Sequence, residues 1–357
     1  MDKVILLYND YLEIYSRTET SPGELIEAFS AMKAIKDSLE SLGYDVIPIS
    51  VTKLNMELLS LLKKHKKTLV FNLCESLEGN AELEKTLPDF MEKHGIVYTG
   101  SGPEAIEGCL NKFRVKKTFK NNGIPTPSGA LIKGTVKASS FKGLRFPLIL
   151  KPVHEDASIG IASASVVYNE AEAIVRANFI IHELRQPAVA EEYIEGREVT
   201  ASVWGNNPPS MIELSEIDFA ELPTDLPKIV TYNSKWNTDS PEYIGTKPVC
   251  PAIVTPELRA RLQEIAINTF KTLKLRDYGR VDMRVTSNGE PYVIDVNPNP
   301  DLSPDAGFFR AASSKGFDYI RMIDRIVTHA KSRGEAAAAK EERESIAIPA
   351  AMQTAEG

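Results

Sequence analysis

Four residues late in the chain, Arg280, Asp282, Asp295 and Asn297, have types and a spacing suited to handling charge. They belong to the run from Tyr278 to Asn297, which contains Asn288-Gly289. That dipeptide is a strong signal for a two-residue type I′ hairpin turn. The turn sets the register: Ser287 faces Glu290, Asp282 faces Asp295, and Arg280 faces Asn297. Val281, Met283 and Val285 then oppose Val296, Ile294 and Tyr292, so one side of the hairpin is core. The other side carries two carboxylates directly across from one another, with Cβ atoms about 4.5–5.5 Å apart. Like charges so placed repel unless a cation lies between them. Carboxylate and amide oxygens are hard ligands suited to Mg2+, which commonly keeps positions for phosphate oxygens. Arg280 beside them is suited to a phosphoryl oxygen. The competing reading is a solvated face on which Arg280 and Arg284 balance Asp282 and Asp295. Pro291 removes a ladder donor, which implies an edge strand or an irregular turn.

Other candidates are weaker alone. Lys151 ends the apolar stretch Pro147–Leu150 and adjoins Pro152, a position that suits a strand tip entering a cleft. Ser158-Ile159-Gly160 contains small residues that permit close backbone approach, as phosphate loops require. The run Glu191-Glu192-Tyr193-Ile194-Glu195-Gly196-Arg197-Glu198 also reads as a charged edge and turn. Cys74, beside an apolar strand, is either a packing residue or a nucleophile, and packing is the commoner use.

These residues need elements to position them. Val4–Tyr8, Asp45–Ile49, Thr68–Leu73 and Ile96–Tyr98 read as strands. Between them lie helices: one opened by the capping box Ser21-Pro22-Gly23-Glu24 and stopped by Gly43, then Met56–His65 and Leu83–Lys93. Such alternation implies a parallel sheet covered on both faces. A helix over Asn111–Asn121 and the stiff connector Ile124-Pro125-Thr126-Pro127 follow. Strands are expected at Ala130–Lys133, Leu148–Lys151, Ile161–Val167, Ala188–Tyr193 and Glu198–Trp204, with a helix from Glu170 to Leu184. Residues 205–250 are rich in proline and asparagine and read as surface loops. A helix over Thr255–Leu273, the hairpin and a helix near Phe317–His329 complete the chain. The expected units are 1–110, an α/β domain; 111–190; 191–330, holding the hairpin; and 331–357, an Ala/Glu/Lys-rich tail that is either helical or disordered.

Composition narrows the class. The chain has 357 residues, 43% hydrophobic and 25% charged, with 42 Lys+Arg against 49 Asp+Glu and a net charge of −7. This is a globular composition without the basic footprint of a general nucleic-acid binder. The three cysteines, Cys74, Cys109 and Cys250, have no metal spacing and suggest a reducing compartment. The N-terminus lacks the basic flank of a signal peptide, and no stretch reaches the ~18 apolar residues of a membrane helix. A soluble, cytoplasmic protein is expected, with no nucleic acid or membrane partner.

Taken together, six strings resemble the ATP-grasp ligases, and within them the D-alanine–D-alanine ligase branch. They are Tyr98-Thr99-Gly100-Ser101, Asn111-Lys112, Leu150-Lys151-Pro152, Ala157-Ser158-Ile159-Gly160-Ile161, Glu191 to Glu198, and the hairpin continuing into Pro298-Asn299-Pro300. They occur in family order from about residue 1 to 330. The resemblance implies an α/β fold, α+β in the ATP-grasp portion, with an N-terminal parallel α/β domain and ATP between central and C-terminal domains. It implies Lys112 and Lys151 on ATP phosphates and the Ser158 loop over them. Glu191, Glu192 and Ile194 fall on the adenine-reading strand, and Glu198 on the ribose hydroxyls. Lys235, on a mobile loop, falls near the γ-phosphate. Asp282, Asp295 and Asn297 fall on magnesium, Asp295 standing where the family more often has Glu. Arg280 falls on the transferring phosphoryl group. The implied cofactors are ATP and Mg2+, two ions, with Mn2+ as a substitute. The implied reaction joins a small-molecule carboxylate, activated as an acyl phosphate, to an amine; a homodimer is a family expectation.

Departures gather where the family reads amino acids. Its first glutamate corresponds to Glu24. The serine and tyrosine partnering that glutamate are replaced by Ala157 and Trp236. A glycine whose N–H faces the developing oxyanion is replaced by Asp301, and a serine gripping the second substrate's carboxylate by Ala306. Asp301 either attracts a cationic group or caps a turn. Three functions follow: a ligase with changed substrates, a D-alanine–D-alanine ligase of cell-wall synthesis, or a non-catalytic ATP-binding module.

Overall fold

The computed structural model describes residues 2–9, 22–155 and 158–347. Three strands, β1 (Lys3–Asn9), β2 (Asp45–Val51) and β3 (Leu69–Asn72), form a parallel sheet in the order β2-β1-β3. Val4 to Leu7 are fully buried, so β1 is the central strand that its unbroken apolar run implies. The helices Pro22–Ser41 and Met56–Lys64 are the crossovers that parallel strands need. The expected strand at Ile96–Tyr98 is reduced to one parallel bridge, Val70 with Tyr98. A helix not expected from sequence, Pro103–Leu110, follows with Pro103 in its first turn.

The middle sheet has the order β4-β7-β5-β6, all antiparallel: β4 (Gly129–Ile132), β5 (Leu148–Pro152), β6 (Val166–Val167) and β7 (Ala188–Glu192). Helix Glu170–His182 covers one face through Ala173, Ala177 and Ile180. The strand expected over Ile161–Val167 survives only as β6. The Ile161 N–H turns back to the Ser158 carbonyl at 2.9 Å, and a short 3-10 turn at Ser163–Ser165 intervenes.

The third sheet is antiparallel in the order β10-β9-β8-β11-β12. Its strands are β8 (Arg197–Trp204), β9 (Ser210–Asp218), β10 (Lys247–Val249), β11 (Tyr278–Val285) and β12 (Pro291–Asn297). Here the loop reading of 205–250 is corrected. Ile212 and Leu214 alternate with Glu213 and Ser215, and all four are buried. Ser215 lines the cleft and Glu213 is taken up by Arg259 and Lys315, so composition alone reads as loop. Helix Pro256–Thr272 packs behind this sheet through Leu262, Ala266 and Phe270.

The last helix is longer than expected and runs Tyr319–Ala347. Met322, Ile323, Ile326, Val327 and Ala330 pack with Val4, Leu6, Leu69 and Phe71 of the N-terminal sheet. Arg333, past the expected end near His329, ion-pairs with the buried Asp277 at 2.9 Å. A Cβ on Gly334 would meet Val97 at 2.6 Å. Tertiary contacts therefore carry the helix onward into the Ala/Glu/Lys-rich segment. Among the described residues no helix is long and apolar enough to cross a membrane. Cys74 lies in the N-terminal core, where burial, then Glu84 and Glu75, push its thiol pKa up, which fits packing rather than a nucleophile.

Candidate active site

A cleft of about 1540 Å³ lies between the middle and C-terminal sheets and reaches the C-terminal ends of β1 and β3. The candidate residues from the sequence line it, apart from Cys74 in the N-terminal core, Glu24 and Ala157. Glu24 lies in helix Pro22–Ser41, but its side chain is outside the described residues; Ala157 and Ser21 lie outside them altogether.

The hairpin delivers the acidic pair. Arg280 pairs with Asn297, Val281 with Val296, and Asp282 with Asp295. The route to this register differs from the expected one. The Thr286 N–H donates to the Glu290 carbonyl at 3.0 Å, so Ser287, Asn288 and Gly289 form a three-residue turn, with Gly289 at φ +83°. A three-residue loop ending on a left-handed glycine is a standard hairpin alternative. Below it Met283 pairs with Val293, Arg284 with Tyr292 and Val285 with Pro291. Ile294 is then the extra residue of a bulge between this register and the Asp282–Asp295 pair. The longer turn and the bulge each displace the register by one residue, and they cancel at the acidic end. Their lasting effect is on faces. Val293, not Ile294, is fully buried, and Ile294 lines the cleft. The Val293 N–H donates to Pro125 O at 2.8 Å, and its carbonyl accepts from Thr126 Oγ1 at 3.0 Å. The stiff connector thus pins the bulge.

Cross-strand register extends the polar face over the sheet. Asp295, Asp282, Thr200 and Ser215 form one row across β12, β11, β8 and β9. Arg280 donates to Asp282 with both Nε and a terminal nitrogen at 2.9 Å. Asp282, burial and Asp295 act on Arg280 in that order, and its pKa is raised. Burial works against charge on Asp295, but Lys112, Lys151 and Arg280 hold its carboxyl below the usual range. The Asn297 side-chain amide oxygen, Oδ1, accepts the Asn299 N–H at 2.8 Å. Among the described residues no group of three or more His, Cys, Asp or Glu side chains could hold a metal. Two carboxylates and an amide are what this point offers, a partial shell of the kind Mg2+ completes with phosphate oxygens and water.

The middle sheet brings cations to the opposite wall. Lys112 is the first residue of helix Lys112–Asn121, capped by Asn111, whose side chain accepts the Arg114 N–H. Lys151 is on β5 and lies 3.4 Å from Glu191 of β7; Lys116 lies 3.4 Å from the other Glu191 oxygen. All three are buried, at 7%, 5% and 1% exposure for Lys151, Lys116 and Glu191. Burial opposes the Glu191 charge, but the two lysines keep its carboxyl below the ordinary range. Lys116 went unnoticed in the sequence, although it lies one turn beyond Lys112 on the same helix. Glu192 turns the other way and takes a fork from Arg145, with its terminal nitrogen at 2.9 Å. Ile194 lines the cleft beyond this strand. Glu198 faces it from β8 and receives Arg284 at 2.9 Å. Arg284 also holds the carbonyls of Lys228 and Gly196, at 2.7 and 2.9 Å, so it builds the wall rather than balancing a solvated face.

Two loops close the cleft. Ser158 has φ +64° and its hydroxyl donates to Val230 O at 3.2 Å. The Tyr232 N–H donates to Ile161 O at 2.9 Å, which joins this loop to the short helix Asn233–Trp236. Lys235 on that helix has its pKa lowered by burial and Arg280, against the pull of Asp282, Asp295 and Glu198. Trp236 presents an indole N–H that is buried without a partner among the described residues.

At the far end Asp301 lines the cleft and caps a turn. One of its carboxylate oxygens accepts both the Ser303 N–H at 2.8 Å and the Ser303 hydroxyl at 2.5 Å, which is turn capping. Ala306 is the N-cap of helix Gly307–Ser314 and offers no side-chain cap.

Comparison with known proteins gives a consistent result. The family model described as D-ala D-ala ligase C-terminus matches residues 120–328. An uncharacterised protein, y4sG, of Sinorhizobium fredii is 30% identical over 265 residues, 74% of this chain and 75% of that protein. A D-alanine–D-alanine ligase of Desulforamulus reducens is 30% identical over 305 residues, 83% of this chain and 91% of that protein. The crystal structure of a Bacillus anthracis D-alanine–D-alanine ligase complexed with ATP superposes with a TM-score of 0.71 at 22% identity, covering 94% of this chain and all of that one.

Proposed function

Because this chain belongs to the D-alanine–D-alanine ligase family of ADP-forming ATP-grasp enzymes, we propose that it joins an amino-acid carboxylate to an amine through an acyl phosphate, with a substrate pair other than two D-alanines. One observation carries the ligase reading: Asp282 stands opposite Asp295 with Arg280 beside them, across one cleft from Lys112 and Lys151. A site that only bound nucleotide would have little use for two carboxylates and an arginine at one point.

A carboxylate is a poor electrophile, because its leaving group would be oxide. Transfer of the γ-phosphoryl group of ATP to a carboxylate oxygen releases ADP and creates a good leaving group. The amine then adds to the acyl carbon, loses a proton, and inorganic phosphate departs. The chain's own part is to position reactants and neutralise charge. In this reading Lys112 and Lys151 hold ATP phosphates, with the Ser158 loop closing over them. Glu191, Glu192 and Ile194 border the adenine, and Glu198 takes the ribose hydroxyls. Arg280 and Lys235 face the transferring group, and Glu24 faces the donor amino acid. Asp282, Asp295 and Asn297 would hold Mg2+ or Mn2+, whose contribution when bound is Lewis-acid neutralisation of phosphate charge. ATP as substrate favours a cytoplasmic setting.

Substrate change is supported by the other end. Trp236, Ala306 and Asp301 stand where the resemblance leads one to expect a tyrosine, a serine and a glycine. The capping bonds of Asp301 occupy one of its two carboxylate oxygens. The test is ADP release by the purified protein over a panel of amino acids and dipeptides. Robust synthesis of D-alanyl-D-alanine would overturn the changed substrate and favour the reading that the Desulforamulus relative supports. ATP binding without ADP release on any pair would leave only a nucleotide-binding module.

A further inference from the structure

We infer that the acceptor end of the cleft contains an anion subsite built by Arg310 and Ser215, and that the amine substrate carries a second carboxylate, as an aspartate- or glutamate-like compound does. Arg310 lines the cleft from the first turn of helix Gly307–Ser314. A cation in a first turn opposes the helix dipole, so the position needs a compensating anion. Among the described residues none is bonded to it. No hydrogen bond or ion pair joins the Arg310 side chain to any described residue, and its Nε is buried without a partner. Asp301, close by in sequence, spends one carboxylate oxygen on Ser303.

Ser215 is an independent second observation. It is 8% exposed, lines the same cleft, and its hydroxyl is buried with no partner. It stands at the end of the row Asp295, Asp282, Thr200, Ser215, so it faces the reacting side of the sheet. The two elements are packed together: Lys315, at the other end of the same helix, ion-pairs with Glu213 of β9 at 2.9 Å. Buried polar atoms are normally paired. A guanidinium fork and a hydroxyl left open on adjoining walls match a planar carboxylate. At the other end of the cleft Lys116 and Lys151 pair with Glu191, and Arg280 with Asp282, whereas no ion pair joins Arg310 to a described residue.

The term acceptor rests on the ligase reading; the anion subsite does not. Calorimetric titration in Mg2+ and a non-hydrolysable ATP analogue tests the subsite, and ADP release tests the reaction. Aspartate or glutamate of one configuration should bind at least about tenfold tighter than alanine of that configuration. Arg310→Ala should lose that margin, at about 1.4 kcal/mol per tenfold, and keep affinity for the ATP analogue. Arg310→Lys, which keeps charge without the fork, should fall between, and Ser215→Ala should weaken binding less; both check against a folding defect. Equal binding of alanine and glutamate, or a margin unchanged in Arg310→Ala, overturns the subsite. Tighter binding of O-phosphoserine than of glutamate overturns the carboxylate assignment. Arg310-dependent glutamate binding without ADP release on any pair would sink the ligase reading and leave the subsite standing.

Discussion

The two ends of the cleft differ in how their charges are kept. At the nucleotide end, cations and anions are already assembled: Lys116 and Lys151 on Glu191, Arg145 on Glu192, Arg284 on Glu198 and Arg280 on Asp282. At the end proposed for the acceptor, Arg310 and Ser215 keep buried polar atoms with no partner among the described residues; Arg284 also keeps a buried Nε unpaired, but its terminal nitrogens are bonded. Preassembled charge suits a ligand common to a whole family, because preorganised groups cost no rearrangement during reaction. Open groups suit a ligand that varies, because leaving them unmet penalises a molecule that lacks the right group.

The contrast can be broken in several places. The largest effect is expected from Arg280→Ala, which should lower kcat by about 10³–10⁵-fold, as loss of a phosphoryl-stabilising arginine does. ATP affinity, measured by calorimetry, should change far less. Equal losses in both would mean that Arg280 merely supports the fold. Next is Glu191→Gln, which leaves Lys116 and Lys151 buried without their anion. Breaking such a cluster costs about 3–5 kcal/mol, readable by denaturant unfolding; little change would show that the cluster is solvated. The same residue has a pH signature. Its folded pKa is depressed, so its contribution is complete above the unfolded value of about 4.3. It is lost as pH falls through the folded value, and Glu191→Gln should flatten that acid limb of the stability curve.

Smaller again is Gly160→Ala. Gly160 has φ +69°, and a Cβ there would approach Leu184 to 2.7 Å and Pro152 to 2.9 Å. A loss of about 1–3 kcal/mol is expected, with KM for ATP raised through the adjoining Ser158. A variant of unchanged stability would show that the loop yields freely. The smallest effect is at the hairpin tip, where Arg261 and Glu290 pair at 2.6 Å with both side chains nearly half exposed. Arg261→Ala should leave melting temperature and turnover unchanged, whereas the other end of the same hairpin should tolerate nothing. A clear loss at the tip would mean that the turn tunes the acidic pair.

What the sequence determined by itself was the chemistry-bearing set and its order along the chain. Hairpin alternation placed Asp282 opposite Asp295, apolar runs marked β1 and β5, and six strings in family order pointed to ATP-grasp. Local pattern carries such information because residue type and period act over a few positions. Tertiary structure decided what depends on distant neighbours. The three-residue turn and the Ile294 bulge offset one another only because the Pro125 segment bonds to Val293. Strand β9 exists because Ile212 and Leu214 find a core, Glu213 finds Arg259 and Lys315, and Ser215 finds a cleft. The last helix continues to Ala347, and Arg333 along it finds Asp277. Lys116, Arg284 and Arg310 are ordinary basic residues in one dimension. Only the packed sheets bury the first two against specific partners and leave the third without one among the described residues.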